Sequence, residues 1–264
     1  MTIITSLHNE RVKLVRALQS SGKARREEKL LALEGVRLVR DAVTAGVPPQ
    51  VVFYTADLIA GDQSGSRLLR DLEDWSIECV EVSAEVMAHM ADTETPQGLI
   101  AVMPMPDLPI PSTISLALIL DGVADPGNLG TILRTSAAAG VDVVILAPHC
   151  VDPFNPKVLR SAMGAHFRVP MVRKFWPDIS LEYGSLPTYL ADTNGKMIYH
   201  AVDWTRPAAV IVGGEARGAD PRTRQLAGTT IAIPMSNATE SLNAAVAAGV
   251  LLFEIRRQRT ADST

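Results

Sequence analysis

The stretch LALILDGVADPGNLGTILRT, residues 116–135, decides the fold that this sequence predicts. Its first five residues are apolar without polar alternation, which is typical of a strand covered on both faces of a sheet. Asp125, Pro126 and Gly127 then form a turn, and Asn128 is a good N-cap for the helix that follows. A buried strand, a turn and a helix in this order predict an α/β fold with a mostly parallel sheet.

Apolar runs of the same kind recur at residues 141–146, 208–212 and 230–234, with helical patterns between some of them. In parallel sheets, ligands bind beyond the carboxyl ends of the strands. The loop after residue 212 has the sequence GGEARG, and its glycines would let the backbone approach a ligand closely. Its spacing excludes a Walker A loop and a dinucleotide-binding fingerprint, so taken alone it predicts only a glycine-rich turn.

A last helix is predicted after the third strand-end loop, residues 233–243. Ser241 and Asn243 are placed to cap this helix, and capping alone would explain both. Three arginines near its end would complement the helix dipole, namely Arg256, Arg257 and Arg259. Apolar and small residues form one stripe, which we expect to pack closely. The stripe consists of Leu242, Ala245, Val246, Gly249, Val250 and Phe253.

A proline-rich segment divides the chain. Four prolines between residues 103 and 112 favour an extended connector over a helix or a central strand. We predict an N-terminal domain of residues 1–104, a linker of residues 105–112 and a C-terminal domain of residues 113–264. Helical and strand patterns alternate along the N-terminal domain, which predicts a small α/β layer structure.

Charge is distributed unevenly along the chain. The whole sequence has 25 lysines and arginines against 29 acidic residues, a net charge of −4, which excludes a wholly basic nucleic-acid-binding protein. Residues 1–40 contain nine basic and four acidic residues, a net charge of +5. Composition alone leaves two explanations open, a solvated helical face with ion pairs or an electrostatic footprint for phosphates.

The overall composition limits the class of protein. A hydrophobic fraction of 47% over 264 residues argues against disorder. Cys79 and Cys150 are too few for a disulfide framework, and no cluster has zinc spacing. No apolar run has the length of a membrane span, and the first residues do not form a signal peptide. We therefore expect a reduced, soluble, cytoplasmic protein with no metal and no membrane partner.

The strand-end loops together resemble the SpoU (TrmH-like) family of SPOUT RNA methyltransferases. The resemblance rests on residues 128–134, 213–218 and 233–243 in this order, and extends to residues 152–166 and 33–37. One departure is Asn237, where relatives often carry glycine. We expect that difference to affect only the conformation of its loop.

The resemblance implies both an architecture and an activity. The N-terminal domain would be a ribosomal-protein L30e-like α/β substrate-binding domain, and the C-terminal domain a SPOUT α/β domain with a trefoil knot, assembled as a homodimer. Pattern alone would predict an open, unknotted sheet. The reaction implied is transfer of a methyl group from S-adenosylmethionine to a ribose 2′-hydroxyl of RNA, without a metal or a covalent nucleophile.

The resemblance also assigns site residues to the loops. The catalytic candidates are Asn128, Arg134, Glu215, Ser241 and Asn243, and the cofactor-binding candidates are Gly213, Gly214, Ile233, Met235 and Leu242. Because a guanidinium keeps its proton in proteins, we expect Arg134 to clamp a phosphate and stabilise charge on the 2′-oxygen, not to act as a base. Glu215 would orient Arg134, and Asn128 would position the hydroxyl or the arginine.

The basic N-terminal run then becomes a candidate RNA-binding surface. The RNA-binding candidates are Arg11, Lys13, Lys23, Arg25 and Arg26, with Lys157, Arg160 and Arg168 beside the catalytic cleft. The resemblance favours 23S ribosomal RNA over transfer RNA but leaves both open. An RNA-binding protein without catalysis is a second hypothesis, against which Asn128, Arg134 and Glu215 argue. A nucleotide-dependent oxidoreductase is a third, against which the missing glycine fingerprint argues.

Overall fold

The structure, a computed structural model, describes residues 3–214, 221–237 and 239–261. These residues form two compact units. The first unit extends to Pro106 and also includes Phe154–Phe167, and the second consists of Asp107–Pro153 and the residues from Arg168 onward. The change of unit after Pro106 falls in the proline-rich segment, whereas Phe154–Phe167 comes from the stretch that the sequence assigns to the C-terminal domain.

Helices and strands alternate in both units. The helices are α1 (Glu10–Ser20), α2 (Gly22–Glu28), α3 (Val36–Thr44), α4 (Ala56–Ala60), α5 (Gln63–Asp74), α6 (Ala84–Met90), α7 (Pro126–Ala139), α8 (Pro156–Ala162), α9 (Trp176–Tyr183), α10 (Pro221–Leu226) and α11 (Ala244–Ala261). The strands are β1 (Leu30–Glu34), β2 (Val51–Tyr54), β3 (Glu78–Glu81), β4 (Leu99–Pro104), β5 (Leu116–Asp121), β6 (Val143–Leu146), β7 (Met171–Arg173), β8 (Thr188–Ala191), β9 (Met197–Ile198), β10 (Ala208–Gly213) and β11 (Thr229–Ala232).

The first unit is built on a mixed sheet of order β1-β4-β2-β3, in which β4 is antiparallel to both of its neighbours. Successive side chains of β1 face opposite sides of this sheet. Leu31 and Leu33 enter a core with α3 and α5, and Leu30 and Ala32 enter a second core with α1 and α6. The expected α/β layer structure of this part is confirmed.

The inserted segment Phe154–Phe167 completes the first of these cores. Leu159 of α8 and Phe167 are both buried, and they belong to the same apolar cluster as Leu31 and Val39. Gly164 in this segment has a φ of +76°, and a Cβ there would lie 2.9 Å from the Asp41 side chain of α3. The segment is therefore an integral layer of the first unit.

The second unit contains the parallel sheet that the sequence predicts. Its strand order is β7-β6-β5-β10-β8-β11-β9, and each neighbouring pair is parallel. Ala117 and Ile119 of β5 pack with Trp176 and Ile179 of α9 on one face. The N-cap of α7 is Asp125 and not Asn128, because Pro126 already occupies the first turn.

The last helix, α11, buries a different face from the expected one. Its buried residues are Ala244, Ala245, Ala248, Leu251, Leu252 and Ile255. Val246 and Phe253, which belong to the predicted stripe, are each 51% exposed in the single chain. The two sets differ because α11 is apolar around much of its circumference, so that periodicity alone does not identify the side that packs within one chain.

The end of α11 is fixed by Arg259. Its guanidinium donates to the backbone carbonyls of Trp204, Arg206 and Ser115 over 2.8, 3.1 and 2.9 Å. These three hydrogen bonds, in addition to the expected interaction with the helix dipole, explain why an arginine occupies this position. Among the described residues, no helix is long and apolar enough to cross a membrane.

Candidate cofactor and active site

A cavity of about 370 Å³ opens in the second unit at the carboxyl ends of β8, β10 and β11. This is the position where parallel sheets bind their ligands. Six of the residues singled out from the sequence line it, namely Gly213, Gly214, Ile233, Met235, Ser241 and Leu242. All five cofactor-binding candidates therefore share one cavity, and Ser241 of the catalytic set lies with them.

The two glycines at the end of β10 differ in what surrounds them. A Cβ added to Gly213 would meet no atom within 4 Å, so its missing side chain leaves open space at the cavity wall. A Cβ on Gly214 would lie 2.3 Å from the carbonyl oxygen of Gly122. Gly213 thus keeps room for a ligand, whereas Gly214 allows two loops of the protein to touch.

Asn128 and Asn243 join the first and third loops. The Asn243 Nδ2 donates to the Asn128 Oδ1 over 3.0 Å, although the two residues are 115 positions apart. The Asn243 Oδ1 accepts from the backbone amides of Ala245 and Val246 over 2.9 and 3.3 Å, which caps α11. Asn243 therefore caps α11, as expected, and also contacts Asn128 of the first loop.

The remaining catalytic candidates are placed less fully. Arg134 is exposed on α7, six residues beyond Asn128. Glu215 lies outside the described residues, so the expected contact between Glu215 and Arg134 stays a prediction. Asn237 has a φ of +57°, a conformation that asparagine tolerates well in place of glycine.

Sequence reasoning missed one wall of the cavity. Asp192, Thr193 and Asn194 line it directly after β8, and Arg224 of α10 lines it as well. The Arg224 Nη2 and the Asp192 Oδ2 are 2.9 Å apart. The signal that could have revealed this loop is its turn chemistry, since the Asp192 Oδ1 accepts from the Asn194 amide in an Asx turn.

The cavity fits a nucleoside-containing cofactor. Its volume lies within the usual range for small-molecule sites, roughly 300–1,000 Å³. Ile233, Met235 and Leu242 offer apolar cover, and Asp192 and Arg224 offer charged groups at the same cavity. The open space at Gly213 allows close approach to the backbone at the end of β10.

The described residues contain no group of three or more histidine, cysteine, aspartate or glutamate side chains that could hold a metal. Burial raises the pKa of Cys79 to about 11 and also raises the pKa of Cys150. Both thiols therefore stay protonated at neutral pH, and neither is an activated nucleophile.

The N-terminal basic run is only partly available to phosphates. Arg25 is buried, and its Nη1 donates to the backbone carbonyl of Leu18 over 2.6 Å, so the prediction that it contacts RNA was wrong. The reason is that the carbonyls at the end of α1 need donors, which this guanidinium supplies. Arg26 beside it is exposed.

Three other cations of the run face acidic side chains. Arg11 lies 2.7 Å from Glu78, Lys13 lies 2.7 Å from Glu10, and Lys23 lies 3.7 Å from Glu27. All three remain exposed, and such surface pairs are weak, so an RNA phosphate could compete for them.

The three cations predicted beside the cleft belong to different units. Lys157 and Arg160 lie on α8 in the first unit, where Lys157 is exposed and Arg160 Nη1 donates to Asp92 over 2.9 Å. Arg168 is exposed in the second unit.

Comparison with known proteins identifies the family. The model of the SpoU rRNA Methylase family matches residues 115–253, and the model of the MRM3-like substrate binding domain matches residues 9–101. The chain belongs to the SpoU rRNA methylase family. It is therefore an RNA methyltransferase of the ribose 2′-O class that uses S-adenosylmethionine, as the sequence predicted.

Individual relatives extend over almost the whole chain. It is 34% identical to the Bacillus subtilis 23S rRNA (guanosine(2553)-2′-O)-methyltransferase RlmP, over 97% of this chain and 100% of that protein. It is 35% identical to the mitochondrial rRNA methyltransferase 3A of Danio rerio, over 95% of this chain and 69% of the relative.

A solved structure in complex with the cofactor shares the fold. The SpoU methyltransferase AviRb from Streptomyces viridochromogenes, solved with AdoMet, superposes with a TM-score of 0.80 at 28% identity, covering 96% of this chain and 100% of AviRb. This likeness supports the SPOUT fold and the cofactor.

Proposed function

We propose that this protein methylates the 2′-hydroxyl of one nucleotide in 23S ribosomal RNA. The observation that carries the proposal is the single cavity that unites all five cofactor-binding candidates at the strand ends. RlmP, which matches both units of this chain over its entire length, supports 23S rRNA as the substrate.

S-adenosylmethionine would supply an electrophilic methyl group on a sulfonium. The methyl group would pass to the ribose 2′-oxygen, the carbon–sulfur bond would break to leave a neutral thioether, and the hydroxyl proton would pass to water. The protein has to hold the hydroxyl in line and stabilise the charge that develops on its oxygen. Gly213 and the apolar side chains of Ile233 and Met235 would hold the cofactor against the backbone.

Arg134 would act on the RNA side of the reaction. An exposed guanidinium on α7 can bind a phosphate of the substrate with two parallel hydrogen bonds. The same charge would stabilise the developing 2′-oxyanion. Glu215 would orient Arg134, and Asn128, fixed by Asn243, would position the hydroxyl.

Asn243 provides a first prediction. Asn243→Ala removes both the cap and the bond to Asn128, and we expect it to lower the free energy of unfolding by about 1 kcal/mol. Asn243→Asp keeps an oxygen for the cap but loses the donor to the Asn128 Oδ1. Chemical denaturation and single-turnover assays together separate the two roles: the aspartate variant should match the wild type in stability yet fall about tenfold in rate. An aspartate variant with the wild-type rate would show that donation from residue 243 to the Asn128 Oδ1 is not needed for turnover.

The RNA surface provides a second prediction. Arg26→Glu and Lys157→Glu should each weaken RNA binding and reduce the slope of log affinity against log salt by about 1. Arg206→Glu, an exposed change of the same size in the second unit, is the matched control and should leave both quantities unchanged. Equal salt slopes for all three variants would refute the assignment of this surface.

We further propose the homodimer, the trefoil knot and the cytoplasmic location that the resemblance implies. The exposed face of α11 supports the homodimer, because Val246 and Phe253 stand seven residues apart on one side of the helix. The bonds from Arg259 to Ser115 and Trp204 support a tightly threaded C-terminal segment.

Mapping of 2′-O-methylation in total RNA, with and without the gene, tests the substrate. One position in 23S rRNA should lose its methyl group on deletion and regain it with the wild-type gene but not with an Arg134→Ala variant. Loss at a transfer RNA position instead would assign the same chemistry to transfer RNA. An unchanged methylation map, combined with no binding of S-adenosylmethionine by calorimetry, would favour an RNA-binding protein without catalysis.

A further inference from the structure

Asp121, the last residue of β5, occupies a buried position next to the cofactor cavity but is not part of its lining. It is 7% exposed and lies opposite Gly213 in the parallel pairing of β5 with β10. Its Oδ2 accepts from the Thr223 Oγ1 over 2.6 Å, and Thr223 is completely buried. This bond connects two residues 102 positions apart.

The backbone of Asp121 makes a second connection. Its carbonyl oxygen accepts from the amide of Gly214 over 2.8 Å. Gly214 and Thr223 flank residues 215–220, a segment that contains Glu215 and lies outside the described residues. One residue therefore holds both flanks of the second loop, through its backbone on one side and its carboxylate on the other.

The carboxylate also connects α10 to β5. This helix has six residues, too few for stability without tertiary contacts. Thr223 bonds to Asp121 of β5, and the neighbouring Arg224 pairs with Asp192, which follows β8. Because Gly213 and Arg224 both line the cavity, the Asp121–Thr223 bond fixes two of its walls relative to each other.

A buried ion is costly unless its hydrogen bonds are satisfied, and well-packed apolar residues often serve stability equally well. A polar pair at this position therefore calls for an explanation other than stability. We propose that Asp121 is a positioning residue for the methyl-transfer reaction, which acts through Thr223 and Gly214 to hold the cofactor cavity in its binding geometry.

Substitution of Thr223 tests this role. Thr223→Val removes the hydroxyl at nearly constant shape, and we expect the Kd for S-adenosylmethionine to rise about tenfold, with a fall in kcat. Thr223→Ser keeps the hydroxyl and should restore binding to within about twofold of the wild type. Thr223→Ala, a smaller side chain, serves the same purpose if the valine variant does not fold, and its Kd should rise by the same factor.

Arg259→Ala is the matched control for a loss of stability. Arg259 bonds to Ser115, before the start of β5, whereas Asp121 ends that strand, so this change loosens the unit far from the cavity. Calorimetry well below the melting temperatures should give a Kd within about twofold of the wild type. An equal rise in Kd for Arg259→Ala and Thr223→Val would overturn the proposal, as would failure of the serine variant to restore binding. Calorimetry needs no RNA, so the result is independent of the 23S assignment.

Discussion

Arg134→Lys should lower kcat by about 100- to 1,000-fold, the range observed when one preorganised donor to a developing oxyanion is removed. Lysine keeps the positive charge but has neither the planar shape nor the paired donors of a guanidinium. If Arg134 binds a phosphate in a bidentate manner and stabilises the 2′-oxygen, charge alone cannot replace it. Single-turnover measurement of methyl transfer to RNA reports this effect directly.

The affinity for the cofactor is the internal control for this experiment. Arg134 is exposed on α7 and is not among the residues that line the cavity in the described part of the chain. The Kd for S-adenosylmethionine should therefore stay within about twofold of the wild type. A lysine variant whose turnover falls only two- or threefold would rule out bidentate binding of a phosphate by Arg134.

Gly213→Leu should weaken binding of S-adenosylmethionine by at least about 100-fold while the protein stays folded. A Cβ at Gly213 meets no atom within 4 Å, so the new side chain finds room without strain. That room is the cavity itself, and the side chain would exclude the ligand from it. Calorimetry measures the affinity, and thermal melting should show a change of no more than about 3 °C, roughly 1–2 kcal/mol for a chain of this size.

Gly214→Ala is the comparison variant, because it should lower the stability of the fold through a steric clash within the protein. Its Cβ would lie 2.3 Å from the Gly122 carbonyl oxygen, so backbone must move. We expect a loss of about 1–3 kcal/mol in the free energy of unfolding, as for other overpacked sites. Unimpaired cofactor binding by Gly213→Leu would show that the ligand occupies another place.

The strands that the sequence predicted well are those whose side chains are apolar on both faces. β5, β6 and β10 are completely or almost completely buried, so continuous apolar runs mark them. β8 and β9 escaped prediction because neither is a continuous apolar run: buried and half-buried residues alternate along β8, and both residues of β9 are exposed. The missed loop at residues 192–194 follows directly from the missed β8.

Among the site residues, sequence motifs identified Gly213, Met235 and Leu242, which the cavity brings together. They could not identify Asp192 or Arg224, since these act through an ion pair between separate stretches of chain. The net charge of residues 1–40 wrongly predicted RNA contact for Arg25, because net charge carries no information on the direction of a side chain. The guanidinium of Arg25 points inward to carbonyls, while Arg26 next to it faces solvent.

The segment Phe154–Phe167 limits how this enzyme could be rearranged by recombination. It is encoded within the stretch that matches the methylase family model, yet its side chains Leu159 and Phe167 fill the interior of the other unit. Division of the chain at the proline-rich segment would therefore yield two products. The first would lack part of its hydrophobic core, and the second would carry α8 without the core against which it packs. The two halves are consequently not interchangeable modules, because exchange of the first unit between such enzymes would require joint exchange of two separate stretches, the one that ends at Pro106 and Phe154–Phe167.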